Sequence, residues 1–464
     1  MSRFRVIILC MKKKSANYLS LLLTAVLLIL CLTGCGGTQS KSGASAEKEV
    51  APSGGRTSAK LTVWMFNDMS TPGDYYITYW KNVEKETGYR ITVRTYSTQQ
   101  LKDKLKIGVA TKELPDIFTV WGGSYPEFLF DARACTPVQN YLKESNTLFK
   151  ESYLQTYTDG NNYIIPCFPE AYTVLLSNDN LLKKLGLSVP KNWEELMQFV
   201  RAVRQYNSVN GTDYTPMELG DKDNWAGDLL YSTIVNRIDP DAIENLAKGK
   251  IRLDSAPFRQ ACNRIRQLIA AGAFPKDFLE MGDTEAVENF SQGKALLMVN
   301  QSPILQYLQN NMGEDNFSVN PFPSCSSRHD KDYSQYNLAI NYSLEPGLCI
   351  NSYSNYKNEA AEACLKFADA VNRINVAEGG YIDITDKNIV APLTIAKPTR
   401  QLREMLFYAK KESPYLYSLL KHPQADDFRS MTKKLYAGEY STEVFLREGK
   451  KYLKFSQIKM KKSY

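Results

Sequence analysis

Carboxylates, amides and tryptophans recur in this chain just past apolar runs that read as strands. Asn67 and Asp68 follow LTVWMF, and Trp121 follows DIFTV with Gly122, Gly123 and Ser124 behind it. Glu170 and Tyr172 stand in the run IIPCFPEAYTVLLS, Glu218 and Trp225 bracket LGDKDN, and Asn300 and Gln301 close ALLMV. A carboxylate or amide can bond two neighbouring hydroxyls, and a flat ring covers an apolar face. Together they suit a polar solute that also carries C–H faces. The 29 tyrosines, each an apolar ring with a hydroxyl, fit the same use. Glycines beside Trp121 let a ligand approach the backbone closely. Each position also fits a structural role. Asn67-Asp68 is a turn-forming pair, Trp121 and Trp225 are core rings at element ends, and Glu170 is a helix cap or the partner of a Lys or Arg.

Catalytic machinery is poorly represented. Two histidines, His329 and His422, lie far apart in polar surroundings, which argues against a His-based metal site or a Ser-His-Asp triad. The acidic loops TDGNNY and GDKDN lack the D-x-D-x-D-G-x5-E order of a calcium loop. No metal and no cofactor is expected.

The elements that position these residues alternate. Strand LTVWMF leads through a polar loop to a helix with Tyr76, Tyr79, Trp80 and Val83 on one face and Gly88 as its stop. Strand YRITVRTYS, a helix over Gln99 to Ala110 and strand DIFTV follow. Beyond the apolar run come a short helix, NDNLLKKLG, and a longer one opened by Asn192 with Glu195 at the capping-box position and Leu196, Phe199, Val200 and Val203 on one face. A helix from Pro257 to Gly272 precedes FSQGKALLMVN, a helix end running into a strand. PGLCINSYSNYKNEAAEACLKFADAV reads as strand, turn and helix. Strands alternating with helices imply α/β architecture with a mostly parallel sheet, whose ligands meet loops at strand carboxyl ends.

Length and composition bound the class. At 464 residues, with 43% hydrophobic and 23% charged residues, the chain reads as two or three globular domains. Its first residues read as a targeting segment: Lys12-Lys13-Lys14 precede the apolar stretch Leu21 to Leu32, too short to span a bilayer comfortably. That stretch ends in Leu32-Thr33-Gly34-Cys35, which resembles a bacterial lipobox. The resemblance implies cleavage after residue 34 and lipidation of Cys35. Residues 36–59, rich in Gly, Ser and charge, read as a flexible tether. Without residues 1–34 the chain holds 52 basic against 50 acidic groups, a balance that does not argue for nucleic acid. Six further cysteines, Cys135, Cys167, Cys262, Cys325, Cys349 and Cys364, show no C-x-x-C spacing. They read as buried thiols, with a disulfide as the alternative.

Five segments in order, KLTVWMFND, ELPDIFTVWGGSYPEF, DGNNYIIPCFPEAYTVLLSNDNLLKKLGLSVPKNWEELMQFV, FSQGKALLMVN and PGLCINSYSNYKNEAAEACLKF, resemble the carbohydrate-type extracellular solute-binding proteins of bacterial ABC importers. That resemblance implies a two-lobed periplasmic-binding-protein-like fold of type II, with a multi-crossing hinge and a ligand cleft between the lobes. It places lobe 1 at 60–166 plus 300–349 and lobe 2 at 167–299 plus 350–464, with crossings at IIPCFPEA, at MVNQS and near LCINS. It implies a monomer, lipid-anchored at the extracytoplasmic membrane face, that hands a sugar to a permease. Ligand contacts are then expected from Asn67, Asp68, Trp121, Gly123, Ser124, Glu170, Tyr172, Glu218, Trp225, Asn300, Gln301 and Tyr342. The chain departs from the family where Asn300-Gln301-Ser302-Pro303 replaces a Gly-Trp or Gly-Pro-Trp, and no Trp follows Trp225. A glycan-acting enzyme with a carboxylate pair, or a surface adhesin with a degenerate cleft, are the competing classes.

Overall fold

The computed structural model describes residues 58–67, 73–145, 149–168, 171–325, 338–343, 346–377, 379, 383–390 and 392–456. Cys35, Asp68 and Glu170 lie outside them.

The described residues build two sheets, the first packed with one apolar core and the second with a core on each face. Strand β1 (Lys60–Phe66) alternates between the two faces and pairs in parallel with β2 (Arg90–Tyr96) and β3 (Ile117–Val120). Helix α1 (Gly73–Thr87) links β1 to β2, and α2 (Thr98–Thr111) links β2 to β3. Ser97 caps α2 reciprocally with Gln100, which satisfies two donors at the helix start. After α3 (Glu127–Asp131) comes the short strand β4 (Ile165–Pro166), where Pro166 ends the pairing. The chain then leaves this sheet, and β5 (Ala171–Asn178), buried at all eight positions, forms the centre of the second.

In the second sheet β5 pairs antiparallel with β7 (Ala295–Gln301), which pairs in parallel with β6 (Thr215–Glu218). Helix α4 (Trp193–Asn210) buries Leu196, Phe199, Val200 and Val203 against this sheet, and α5 (Trp225–Ile238) is buried along nearly its whole length. Helix α6 (Asp283–Ser291) precedes β7.

The expected lobe boundaries require correction. Strands β8 (Phe317–Asn320) and β9 (Leu338–Ser343) both pair with β5, so most of 300–349 belongs to the second lobe. The run MVNQS is no crossing, because Leu305 and Leu308 just beyond it pack in the second lobe. Only β10 (Gly347–Ile350) returns to the first sheet, inserted antiparallel between β3 and β4. No side chain fits at 347, since a Cβ would stand 2.6 Å from the Ile165 carbonyl oxygen. Helix α7 (Lys357–Ala377) then stays with the first lobe, where Phe367 stacks on Trp80 at 4.4 Å between ring centroids. Residues from β11 (Ala409–Pro414) through α8 (Gln424–Tyr436) pack with the second lobe. The crossings therefore fall at 168–171, at 343–347 and between 390 and 397.

All six described cysteines are free and buried. Burial pushes the Cys325 thiol up to about 11, which keeps it protonated and unreactive.

Candidate functional site

The carboxyl ends of the two sheets touch. Residues 121–127 follow β3 in the first lobe, and residues 415–422 follow β11 in the second. Ser124 Oγ donates to the Leu420 carbonyl, Ser456 Oγ donates to Glu127 Oε1 at 2.5 Å, and the Tyr125 ring meets His422 edge-on at 5.2 Å. One turn along α2, Lys106 Nζ reaches Asp426 Oδ2 at 4.0 Å. These contacts form a seam between the lobes.

On the first-lobe side the seam is aromatic. Trp121, half-buried, tilts against Phe66 at 5.8 Å and stands edge-on to Tyr125 at 5.7 Å. Behind it Tyr76 joins Phe66 to the half-buried Phe168, each pair at 5.7 Å. The ammonium of Lys102 on α2 sits 5.2 Å from the centroids of both Trp121 and Tyr125. Burial, and secondarily the charge of Arg429, lowers its pKa to about 8.

The second-lobe side is polar. Gln301 Nε2 donates to the Tyr415 hydroxyl at 3.2 Å, and that hydroxyl shares a 2.5 Å hydrogen bond with Thr173 Oγ1. Strands β5 and β7 and the residue that follows β11 thereby fix one amide at the end of β7. Farther along, the Arg429 guanidinium lies 3.2 Å from the Tyr417 centroid, and its Nε is 3.6 Å from Asp228 Oδ2, too long for a hydrogen bond. Burial raises the Asp228 carboxyl to about 6 against the pull of Arg429. Burial would also raise Asp426, but the His422 hydrogen bond and the nearby cations Lys102 and Arg429 outweigh it and bring it to about 2.

The sequence-expected residues separate into groups. Trp121, Gly123 and Ser124 line the seam, although Ser124 is fully buried in an inter-lobe hydrogen bond. Gly123 takes φ +79°, and its N–H donates to Gln155 Oε1 at 2.8 Å. Asn67 is exposed at the end of β1, its N–H bonded to the Tyr96 carbonyl at 2.7 Å. Gln301 is half-buried at the end of β7, whereas Asn300 is buried and donates to Asp283 Oδ1 at 3.1 Å. Trp225 is half-buried in the first turn of α5, following Asn224 in the left-handed region. Tyr172 and Tyr342 pair across β5 and β9 inside the second-lobe core, so neither lies on an open wall.

Glu218 is the clearest misplacement. It is 1% exposed, and the charged groups around it are Asp277, Glu285 and Lys294, with the Asn289 amide beside them. Glu285 and Asn289 belong to α6, so the carboxyl faces that helix and not the seam. Neither of its oxygens is held by a hydrogen bond of sound geometry, and burial raises its pKa to about 8.

Lys102, Tyr415, Tyr417 and Arg429 are the seam residues that sequence reasoning missed. Lys102 and Lys106 share a helix face that reads as solvated, while Tyr415 and Tyr417 follow a polar strand, and Tyr415 lies 114 and 242 residues from its partners Gln301 and Thr173. No group of three or more His, Cys, Asp or Glu is placed to hold a metal ion among the described residues. None of their helices is long and apolar enough to cross a membrane.

The family model described as "Bacterial extracellular solute-binding protein" matches residues 78–373. A curated relative, the polygalacturonan/rhamnogalacturonan-binding protein YtcQ of Bacillus subtilis strain 168, is 26% identical over 278 residues. The match covers 57% of this chain and spans about half, 53%, of that relative. A solved structure from work on xylan utilisation by Caldanaerobius polysaccharolyticus superposes with a TM-score of 0.74 at 22% identity, covering 85% of this chain and 100% of its own. A chitin oligosaccharide binding protein superposes with a TM-score of 0.73 at 20% identity, covering 85% and 98%. At these identities the two structures establish the two-lobed fold.

Proposed function

The chain belongs to the bacterial extracellular solute-binding proteins, and on that premise we propose that it captures a mono- or oligosaccharide in the seam between its lobes and delivers it to an ABC importer permease. The observation that carries this reading is the division of labour across the seam. The first lobe offers the half-buried Trp121 ring, backed by Phe66 and Tyr125. The second offers the Gln301 amide, oriented by Tyr415. A pyranose has an apolar C–H face for the ring and vicinal hydroxyls for the amide. Saccharides are also what the names of YtcQ and of the chitin oligosaccharide binding protein give as their ligands.

In this reading the protein catalyses nothing itself. It acts as a monomer held at the extracytoplasmic face of the membrane by a lipid on Cys35, with residues 36–59 as the tether. Asn67, Asp68, Glu170 and Trp225 supply further ligand contacts.

A thermal-shift panel of neutral and acidic oligosaccharides, peptides and polyamines tests this. A ligand that binds only the folded state at about 100 times its Kd adds about 2.7 kcal/mol of stability. A saccharide is expected to raise Tm, and a panel in which only peptides or polyamines do so overturns the proposal. Turnover of the saccharide would overturn the binding-only part.

A further inference from the structure

We propose that Lys102 and Arg429, one from each lobe, form a split cationic subsite that takes the carboxylate of a uronate ring lying against Trp121. This rests on the carbohydrate reading and names the class of sugar.

The contacts of Lys102 point this way. Its ammonium faces two rings, Trp121 and Tyr125, each 5.2 Å away, and makes no hydrogen bond or ion pair in the described structure. Lys102 is half-buried and its pKa is lowered to about 8, so at neutral pH it stays mostly protonated, and an arriving anion would stabilise that charge. The second-largest influence on it is not a carboxylate but Arg429 across the seam. The charge of Arg429 on the opposite lobe bears on Lys102, and both cations bear on Asp426, so a further anion bound between the lobes here would draw them together.

Arg429 is only loosely compensated. Its guanidinium lies over Tyr417 at 3.2 Å, and its ion pair with Asp228 is 3.6 Å long. Asp426 is already engaged, with His422 Nδ1 at 3.3 Å and the Tyr417 hydroxyl at 3.4 Å. Asp426 and Asp223 are both felt at Lys102 and would repel a dense dianion. A singly charged carboxylate suits that balance better than a phosphate. A hexuronate stacked on Trp121 carries its carboxylate at the ring edge, within reach of an ammonium 5.2 Å from the ring centre.

Calorimetric titration of the full chain in detergent with oligogalacturonate and glucuronoxylan fragments, each beside its methyl ester, and with neutral galactotriose tests this. A uronate is expected to bind at least tenfold more tightly than its ester. Lys102→Met should bring acid and ester within threefold of one another, and Lys102→Arg should restore the preference. Acid, ester and galactotriose binding alike would overturn the cationic subsite and leave the carbohydrate reading standing. A preference that survives in Lys102→Met would overturn the role of Lys102. Failure of all the saccharides to bind would overturn both.

Discussion

Gly123 and Ser418 face one another across the seam so closely that a Cβ at position 123 would stand 3.3 Å from the Ser418 carbonyl oxygen. Gly123 also holds φ +79°, a conformation that costs an L-residue about 1–2 kcal/mol. Gly123→Val is therefore expected to lower stability by about that amount and to prop the lobes apart. Small-angle scattering should show a larger radius of gyration than wild type. An unchanged radius would mean that the seam yields without opening.

Glu218 predicts a pH dependence in the opposite direction from a surface carboxylate. Burial raises its pKa from 4.5 to about 8, so the folded protein keeps a proton that the unfolded chain releases above about pH 4.5. Between these values the folded state binds more protons than the unfolded state. Stability consequently falls as pH rises, by up to about 1.4 kcal/mol per unit. Asp221 and Asp228, each raised to about 6 by burial, add to the slope at lower pH, and Lys102, lowered to about 8, opposes it as pH 8 is approached, so Glu218 is read from the difference between wild type and Glu218→Gln between pH 6.5 and 8. Urea midpoints across that window should fall for wild type relative to Glu218→Gln as pH rises. Equal slopes would mean that the carboxyl is paired in solution.

The N-terminus of α4 shows what was legible in advance. Asn192 accepts from the Glu195 N–H at 2.9 Å, and Leu196, Phe199, Val200 and Val203 are all buried, as their spacing implied. Such signals are local, because a cap and a helical stripe lie within a few residues of each other. Asn192→Ala should cost about 1 kcal/mol in urea unfolding, and a loss below about 0.3 kcal/mol would mean that the cap contributes little.

Long-range pairing was not legible. Nothing in the pattern of 317–343 shows that β8 and β9 join β5, and nothing in LCINS shows that β10 returns to the first sheet. Strand periodicity identifies alternate faces but not the neighbouring strand. Glu218 failed for a related reason. The short strand TPME does not reveal which face α6 covers, so a buried carboxyl reads the same as a cleft carboxyl. The position of Trp121 at a strand end was legible because DIFTV and the paired glycines lie in one segment.

The Thr173–Tyr415–Gln301 link joins β5, β7 and the residue just past β11, which are distant in sequence, and it makes a cooperative prediction. Thr173 is 6% exposed, and the Tyr415 hydroxyl lies 2.5 Å from its Oγ1 and 3.2 Å from Gln301 Nε2. Removing one partner leaves the other desolvated, so Tyr415→Phe should cost about 1–3 kcal/mol. Thr173→Val keeps the shape of Thr173 and should cost a similar amount by removing the shortest hydrogen bond of the Tyr415 phenol. Once both hydroxyls are gone neither is stranded, so the double variant should lose less than the sum of the singles by about 1 kcal/mol. The single Tyr415→Phe should also weaken saccharide binding, because Gln301 loses the bond that aims its amide. Strictly additive stabilities, with saccharide affinity unchanged, would show that the hydroxyls do not act together and that Gln301 is positioned by other contacts.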